Sequence, residues 1–141
     1  MKLRVIVLGK TRRPELRLLT EDYLDRLRRF ARMEWTELRE GSALARVKVE
    51  PAAVWVLVDA GGREYRSEEF ARWLGGLRDR GAREVVFLCG NADGFPEAWR
   101  QRAQERLSLS PLTMSHELAR VVLAEQLYRA FAALAGHPYP K

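Results

Sequence analysis

Four ionisable residues, His116, Arg120, Glu125 and Arg129, are spaced along a segment otherwise crowded with Leu, Val, Ala and aromatic side chains. His116 and Arg120 lie four apart and share one helical face, and Glu125 and Arg129 share another. Arginine holds phosphate, a carboxylate orients an arginine or accepts a proton, and histidine does acid–base work near neutral pH. The ordinary alternative for each pair is a structural salt bridge or a helix cap. What raises the segment above that alternative is its surroundings. Leu118, Val121, Val122, Leu123, Leu127, Tyr128, Phe131 and Leu134 leave almost no polar face, so the helix is buried on more than one side, within its own domain or against a second subunit. An unpaired charge in such a place costs several kcal/mol, so these groups must be paired or functional.

The segment before that helix, Ser108-Leu-Ser-Pro-Leu-Thr-Met-Ser115, is polar and stiffened by Pro111. A second loop, Gly90-Asn-Ala-Asp-Gly94, follows an apolar run and offers close backbone approach to a ligand, although an ordinary turn accounts for it at least as well. The chain contains no GxGxxG, Walker loop, HExxH or GxSxG, which removes the usual dinucleotide, nucleotide-hydrolysing, zinc-protease and serine-hydrolase readings. Cys89 is the single cysteine, so neither an internal disulfide nor a cysteine-based zinc site can form. No metal is expected, and the cysteine usage fits a reducing cytoplasm. The Lys2–Leu8 run is too short for a secretory signal, and no stretch is apolar enough to cross a membrane.

The balance of 25 Lys+Arg against 19 Asp+Glu gives a net charge of +6, carried almost wholly by arginine. Guanidinium groups suit phosphates and stack on bases, which points to RNA; a GC-rich genome or heat adaptation through ion pairs gives the same composition.

The elements that must position these residues alternate between strand-like and helix-like patterns. Strands are expected at Lys2–Leu8, Met33–Arg39, Val54–Asp59, Glu84–Cys89 and Leu107–Ser110. Helices are expected from Pro14, from Ser67 as N-cap to Gly81, from Pro96 to about Arg106, and from the His116 region to Gly136. Gly61-Gly62 reads as a turn and Glu40–Pro51 as an irregular connection. This alternation predicts one α/β domain over residues 1–141 with a mostly parallel sheet flanked by helices. Ligands in such sheets bind beyond the carboxyl ends of the strands, here Val58-Asp59, Cys89-Gly90-Asn91 and Leu109-Ser110.

Four collinear pieces carry a resemblance: Val-Leu-Val-Asp59 with Gly62 and Ser67-Glu-Glu-Phe-Ala71; Phe87-Leu-Cys-Gly90 with Ala92-Asp-Gly94; Leu107-Ser-Leu-Ser110 with Leu112-Thr-Met-Ser-His116 and Glu125-Gln-Leu-Tyr-Arg-Ala130; and His137-Pro-Tyr139. Together these resemble the ribosomal RNA large subunit methyltransferase H family of small SPOUT methyltransferases, from the first strand to the last residue. The resemblance implies a C-terminal trefoil knot, a rare exception to unknotted topology. It also implies a cytoplasmic homodimer that uses S-adenosyl-L-methionine to methylate N3 of a pseudouridine in 23S rRNA on the assembled ribosome.

Carried over by motif, the cofactor contacts would be Val58, Gly90, Leu109, Ser110, Pro111, Leu112, Thr113 and Met114, and the substrate side would hold His116, Glu125, Arg129 and Tyr139. The sequence departs from the family pattern at Asn91, where a second glycine is usual, and at Pro140, where the tail normally has histidine; Lys141 keeps the trailing positive charge. The connection around Glu40–Pro51 is also shorter than usual. The Pro140 departure leaves two rivals in view: a non-catalytic RNA- or ribosome-binding homologue, and a SPOUT enzyme acting on another RNA.

Overall fold

The computed structural model describes residues 1–137 and 139. Five strands, β1 (Lys2–Leu8), β2 (Arg32–Leu38), β3 (Val54–Glu64), β4 (Glu84–Cys89) and β5 (Glu105–Ser108), form one sheet in the order β2-β1-β4-β3-β5. Every neighbouring pair is parallel. The period-two alternation of the strands divides their side chains between two cores. Leu3, Val5, Val7, Val56, Val85, Phe87 and Cys89 face helices α1 (Pro14–Leu27), α2 (Ser67–Asp79) and α4 (His116–Leu134). Ile6, Leu8, Trp55, Leu57, Val86 and Leu88 face a thinner layer made by a 3₁₀ turn (Gly41–Arg46) and the short α3 (Glu97–Arg102), with Trp99 at its centre.

Helix α4 packs against both α1 and α2. Its low amphipathicity therefore follows from burial within its own chain: Val121, Leu123, Ala124, Leu127, Tyr128, Ala130 and Phe131 are all buried, leaving Leu118 as its exposed large apolar residue. Ser115 caps its start by accepting from the Leu118 amide at 3.2 Å. At its end Gly136 adopts a left-handed φ of 71°, with Gly136 and His137 amides donating to the Ala133 and Ala132 carbonyls. That is a Schellman stop, and it needs a residue without Cβ strain.

Three local expectations are corrected. Gly61-Gly62 does not end β3; Val58 and Arg63 both face Leu107, so residues 59–62 loop out of the ladder and the strand resumes. A Cβ on Gly62 would meet the Arg106 and Leu107 backbone, so close strand approach rather than turning explains that glycine. The N-cap of α2 is Arg66, whose amide donates to Glu69 at 2.8 Å, while Ser67 sits inside the helix with its hydroxyl on Gln126. Helix α3 stops at Arg102, and Glu105 and Arg106 join β5, because the Gln104 amide and side chain bond to Trp55 backbone and draw the chain to the sheet edge.

Candidate functional site

The carboxyl ends of β3 and β5 lie side by side, and the loop after β5 folds over them. Val58, Leu109, Ser110, Leu112, Thr113 and Met114 line one open cavity of about 160 Å³ there, with Ala119 of α4 also in its wall. Six of the eight predicted cofactor residues are thus brought together. Pro111 is exposed on the outside of the same loop, where its ring limits the path of the chain. Gly90 stands one strand over: Leu57 faces Leu88, which sets Gly90 level with Asp59. A Cβ on Gly90 would collide with the Gly94 carbonyl, so its glycine serves the tight Gly90–Gly94 turn. Asn91 strengthens that turn, accepting from the Asp93 amide at 2.9 Å, and the left-handed φ falls on Gly94 rather than on Asn91.

Asp59, at the lip of the cavity, was legible as a strand-end residue but not as a site residue. Burial works to raise its pKa; a hydrogen bond from Arg106, the Gly61 amide, and the charges of Arg106 and Arg100 overcome this and hold it below the usual carboxylate value. Across Leu109 lies a second cavity of about 190 Å³, floored by Phe70, Leu107 and Ser108 and edged by Gln126. The Ser108 hydroxyl is buried there without a hydrogen-bond partner among the described residues. An apolar slot flanked by strand-end backbone, with an unpaired buried hydroxyl beside it, fits a nucleoside with a hydrogen-bonding ring.

The residues expected on the substrate side divide into two groups. Glu125, Arg129 and Tyr139 come together. Arg129 donates through Nε and an Nη to one Glu125 oxygen at 3.2 and 3.0 Å, and Gln126 donates to the other at 2.7 Å. The guanidinium lies 4.2 Å from the centre of the Tyr139 ring, whose edge-to-face partner is Tyr128 at 4.8 Å. Burial, then hydrogen bonding with Tyr23 and Glu125, raises the Tyr139 phenol above its ordinary range, so it remains a donor. His116 is elsewhere. It opens α4, thirteen residues and about 20 Å from Arg129 along the helix axis.

The anticipated His116–Arg120 pair does not form. His116 Nε2 is 3.9 Å from Glu117 Oε2, and Arg120 turns the other way. Arg120 is fully buried and donates to the Leu8 and Gly9 carbonyls and the Thr11 hydroxyl at 2.8, 3.1 and 3.0 Å. Cys89 is near enough to feel its charge, but burial dominates and pushes the thiol up to about 12, which removes it as a nucleophile. Pro140 and Lys141 lie outside the described residues.

Comparison with known proteins decides the family. The family described as "Predicted SPOUT methyltransferase" matches residues 1–140. The chain belongs to the SPOUT methyltransferase family. It is 44% identical over 142 residues to "Ribosomal RNA large subunit methyltransferase H" of Koribacter versatilis, covering 99% of this chain and 97% of that one. The protein of the same name from Thermus thermophilus is 46% identical over 139 residues, with 99% and 98% covered. Among solved structures, a probable methylase family protein from Haemophilus influenzae superposes with a TM-score of 0.61 at 10% identity, over 99% of this chain and 72% of that one. The SpoU methyltransferase AviRb from Streptomyces viridochromogenes, solved with AdoMet, gives 0.53 at 12% identity, over 96% and 61%. At those identities the solved structures speak for a shared SPOUT fold, and the full-length sequence relatives for membership.

Proposed function

We propose that this SPOUT chain is an S-adenosyl-L-methionine-dependent methyltransferase acting on N3 of a pseudouridine in 23S rRNA of the assembled ribosome, in the cytoplasm. The observation that carries the reading is the convergence of Val58 and the Leu109–Met114 loop on one apolar cavity in a chain 44% identical, end to end, to a large-subunit rRNA methyltransferase. When bound, the cofactor supplies an electrophilic methyl group on sulfur. Val58, Leu109, Leu112 and Met114 would hold its adenosyl part in the slot, and Gly90, at the end of the adjacent strand, would border it. Ser110 stiffens the loop by accepting from the Leu112 amide at 3.0 Å.

Methyl transfer to N3 is an in-line displacement that also releases the N3 proton to water, so the chain's main task is alignment. Arg129, held by Glu125, presents its remaining donors to RNA phosphate, and the Tyr139 phenol donates a hydrogen bond. With one Tyr139 face covered by Arg129, any base stacks only on the opposite face. Glu125 acts by orienting Arg129.

A homodimer is part of the proposal. Within one chain the Arg129–Tyr139 group stands apart from the His116 end of α4, so a second copy would bring one protomer's Arg129 and Tyr139 to its partner's cofactor loop. Exposed Leu18, at 71%, and Leu118 on the first turns of α4 supply apolar surface for that contact. The trefoil knot also belongs to the proposal. It is supported by the chain path: β5 lies at one sheet edge, yet α4 returns beneath the sheet to α1 and the end of β1.

The test is transfer of labelled methyl groups from S-adenosyl-L-methionine to ribosomes lacking the modification. Incorporation at a single pseudouridine is the expected result. Incorporation into free tRNA and none into ribosomes would overturn the substrate assignment.

A further inference from the structure

We propose that the loop between β1 and α1, through Lys10, Arg12, Arg13 and the adjoining Arg17, is a phosphate-binding platform for the substrate RNA, and that Glu117 is the positioning residue that fixes it beside the cofactor loop. The inference rests on the RNA-methylating function proposed above and names where that RNA would be gripped. All four cations are exposed. Lys10, Arg12 and Arg17 have no carboxylate within 4.0 Å among the described residues, and Arg13 has only a loose 3.7 Å approach to the exposed Glu15. Such exposed pairs contribute little, and beyond the hydrogen bond that Arg17 donates to the Thr11 carbonyl this concentration of charge is not explained by stability.

Local energetics argue against putting these residues there. Arg13 is the N-cap of α1 and makes no side-chain cap, and Arg12 precedes it. Basic residues at a helix N-terminus oppose its dipole, and arginine is a poor N-cap. The fold offsets this from another element. Glu117 of α4 accepts from the Arg12 amide at 2.9 Å and the Arg13 amide at 3.0 Å. It pins the two residues that lead into the helix, places a carboxylate at its positive end, and leaves both guanidinium groups exposed. Arg120, one turn further on, ties the root of the same loop to α4. A chain that departs from a local rule and compensates for it across the fold marks a functional position.

The placement suits the role. Glu117 lies three residues after Met114, which lines the cofactor cavity, so the cations are anchored to the first turn of the helix that follows the cofactor loop. Beneath the loop runs an open cleft of about 600 Å³ bordered by Lys10, Thr11, Arg17 and Trp35. Glu21 and Glu37 also border it and would repel phosphate from the cleft itself, which leaves the exposed cations outside it as the contact.

The test measures binding of a fluorescein-labelled RNA hairpin cut from large-subunit rRNA, and KM and kcat on unmodified ribosomes. The double variant Lys10→Ala/Arg12→Ala is expected to weaken hairpin binding about tenfold at physiological salt and to reduce the slope of log K against log salt by about two. KM for ribosomes should rise while kcat at saturation and calorimetric S-adenosyl-L-methionine affinity hold. Glu117→Gln makes the sharper discrimination. It raises the net charge by one, so general attraction alone would tighten RNA binding, whereas loss of loop positioning weakens it several-fold. An unchanged affinity and salt slope in the double variant, or tighter binding by Glu117→Gln, overturns the proposal while leaving the methyltransferase reading intact. A parent chain that binds neither hairpin nor ribosome and transfers no methyl group to unmodified ribosomes overturns both. Should Glu117→Gln fail to fold, the double variant, confined to exposed side chains, decides alone.

Discussion

The two ends of the sheet handle buried charge in opposite ways. At the amino ends of the strands, Arg4 on β1 meets Glu84 on β4 at 2.8 Å, and Glu34 on β2 bridges Arg4 and Lys2 at 3.1 and 2.8 Å. The other Glu84 oxygen accepts from the Glu50 amide. Charge there is satisfied by charge within three neighbouring strands. At the carboxyl ends, Arg120 and Glu117 are buried too, but both bond chiefly to backbone of the β1–α1 loop. Those charges are used to hold loop geometry, and the loop's own cations remain available. The first end secures the fold; the second shapes a site.

Breaking the closed end should cost most. Glu84→Leu leaves Arg4 with only the half-exposed Glu34 and strips the Glu50 amide of its acceptor, a loss of about 3 kcal/mol by analogy with other broken buried pairs. A denaturant titration should show that fall in stability, with cofactor affinity retained on the remaining folded protein.

Arg120→Met should cost about 2 kcal/mol, because two carbonyls and a hydroxyl lose a charged donor. Unlike the first substitution it should also raise KM for ribosomes, since the loop it anchors belongs to the working end. Equal kinetic effects from the two variants would erase the distinction between the ends.

Acid should separate them further. The Arg12 and Arg13 amides hold the Glu117 carboxyl below the usual glutamate value, with burial opposing and the His116 and Arg120 charges assisting. A depressed native pKa contributes stability that is present above the unfolded-state value and is lost as pH falls through the native one. The Tm gap between the parent and Glu117→Gln should therefore be full at pH 7 and shrink only once the pH falls below the ordinary glutamate range. A gap that stays constant below that range would remove Glu117 as a charged anchor.

Gly90→Ala should distort the molecule most locally: its Cβ would collide with Gly94 backbone, which must shift, at a cost of about 1–3 kcal/mol. Its stronger signature should be weaker calorimetric binding of S-adenosyl-L-methionine if, as proposed, Gly90 borders the cofactor.

Much of this was visible in the sequence. The β-branched runs of β1, β3 and β4 and the capped final helix announce a parallel α/β sheet, and the collinear motifs announce a SPOUT enzyme. The Glu125–Arg129 pair could be read directly, because i,i+4 spacing on a helix fixes neighbours without tertiary information. The same rule failed for His116 and Arg120. There the loop after β1, more than a hundred residues away in sequence, offers Arg120 backbone acceptors that a histidine cannot match. The all-round apolar face of α4 was legible as burial, but not as burial by α1 and α2.

The sequence by itself determined the family and most of the strands and helices, since periodicity, caps and motifs are local properties of the chain. The tertiary structure alone decided which residues meet. Pairing of β3 with β5 unites Val58 with the Leu109–Met114 loop, and packing α4 beside α1 carries Arg120 to the carbonyls after β1 and Glu117 to the amides that lead into a helix it does not belong to. Such choices depend on contacts between distant segments, and the free energy of burying them exists only once the sheet and its helices have assembled.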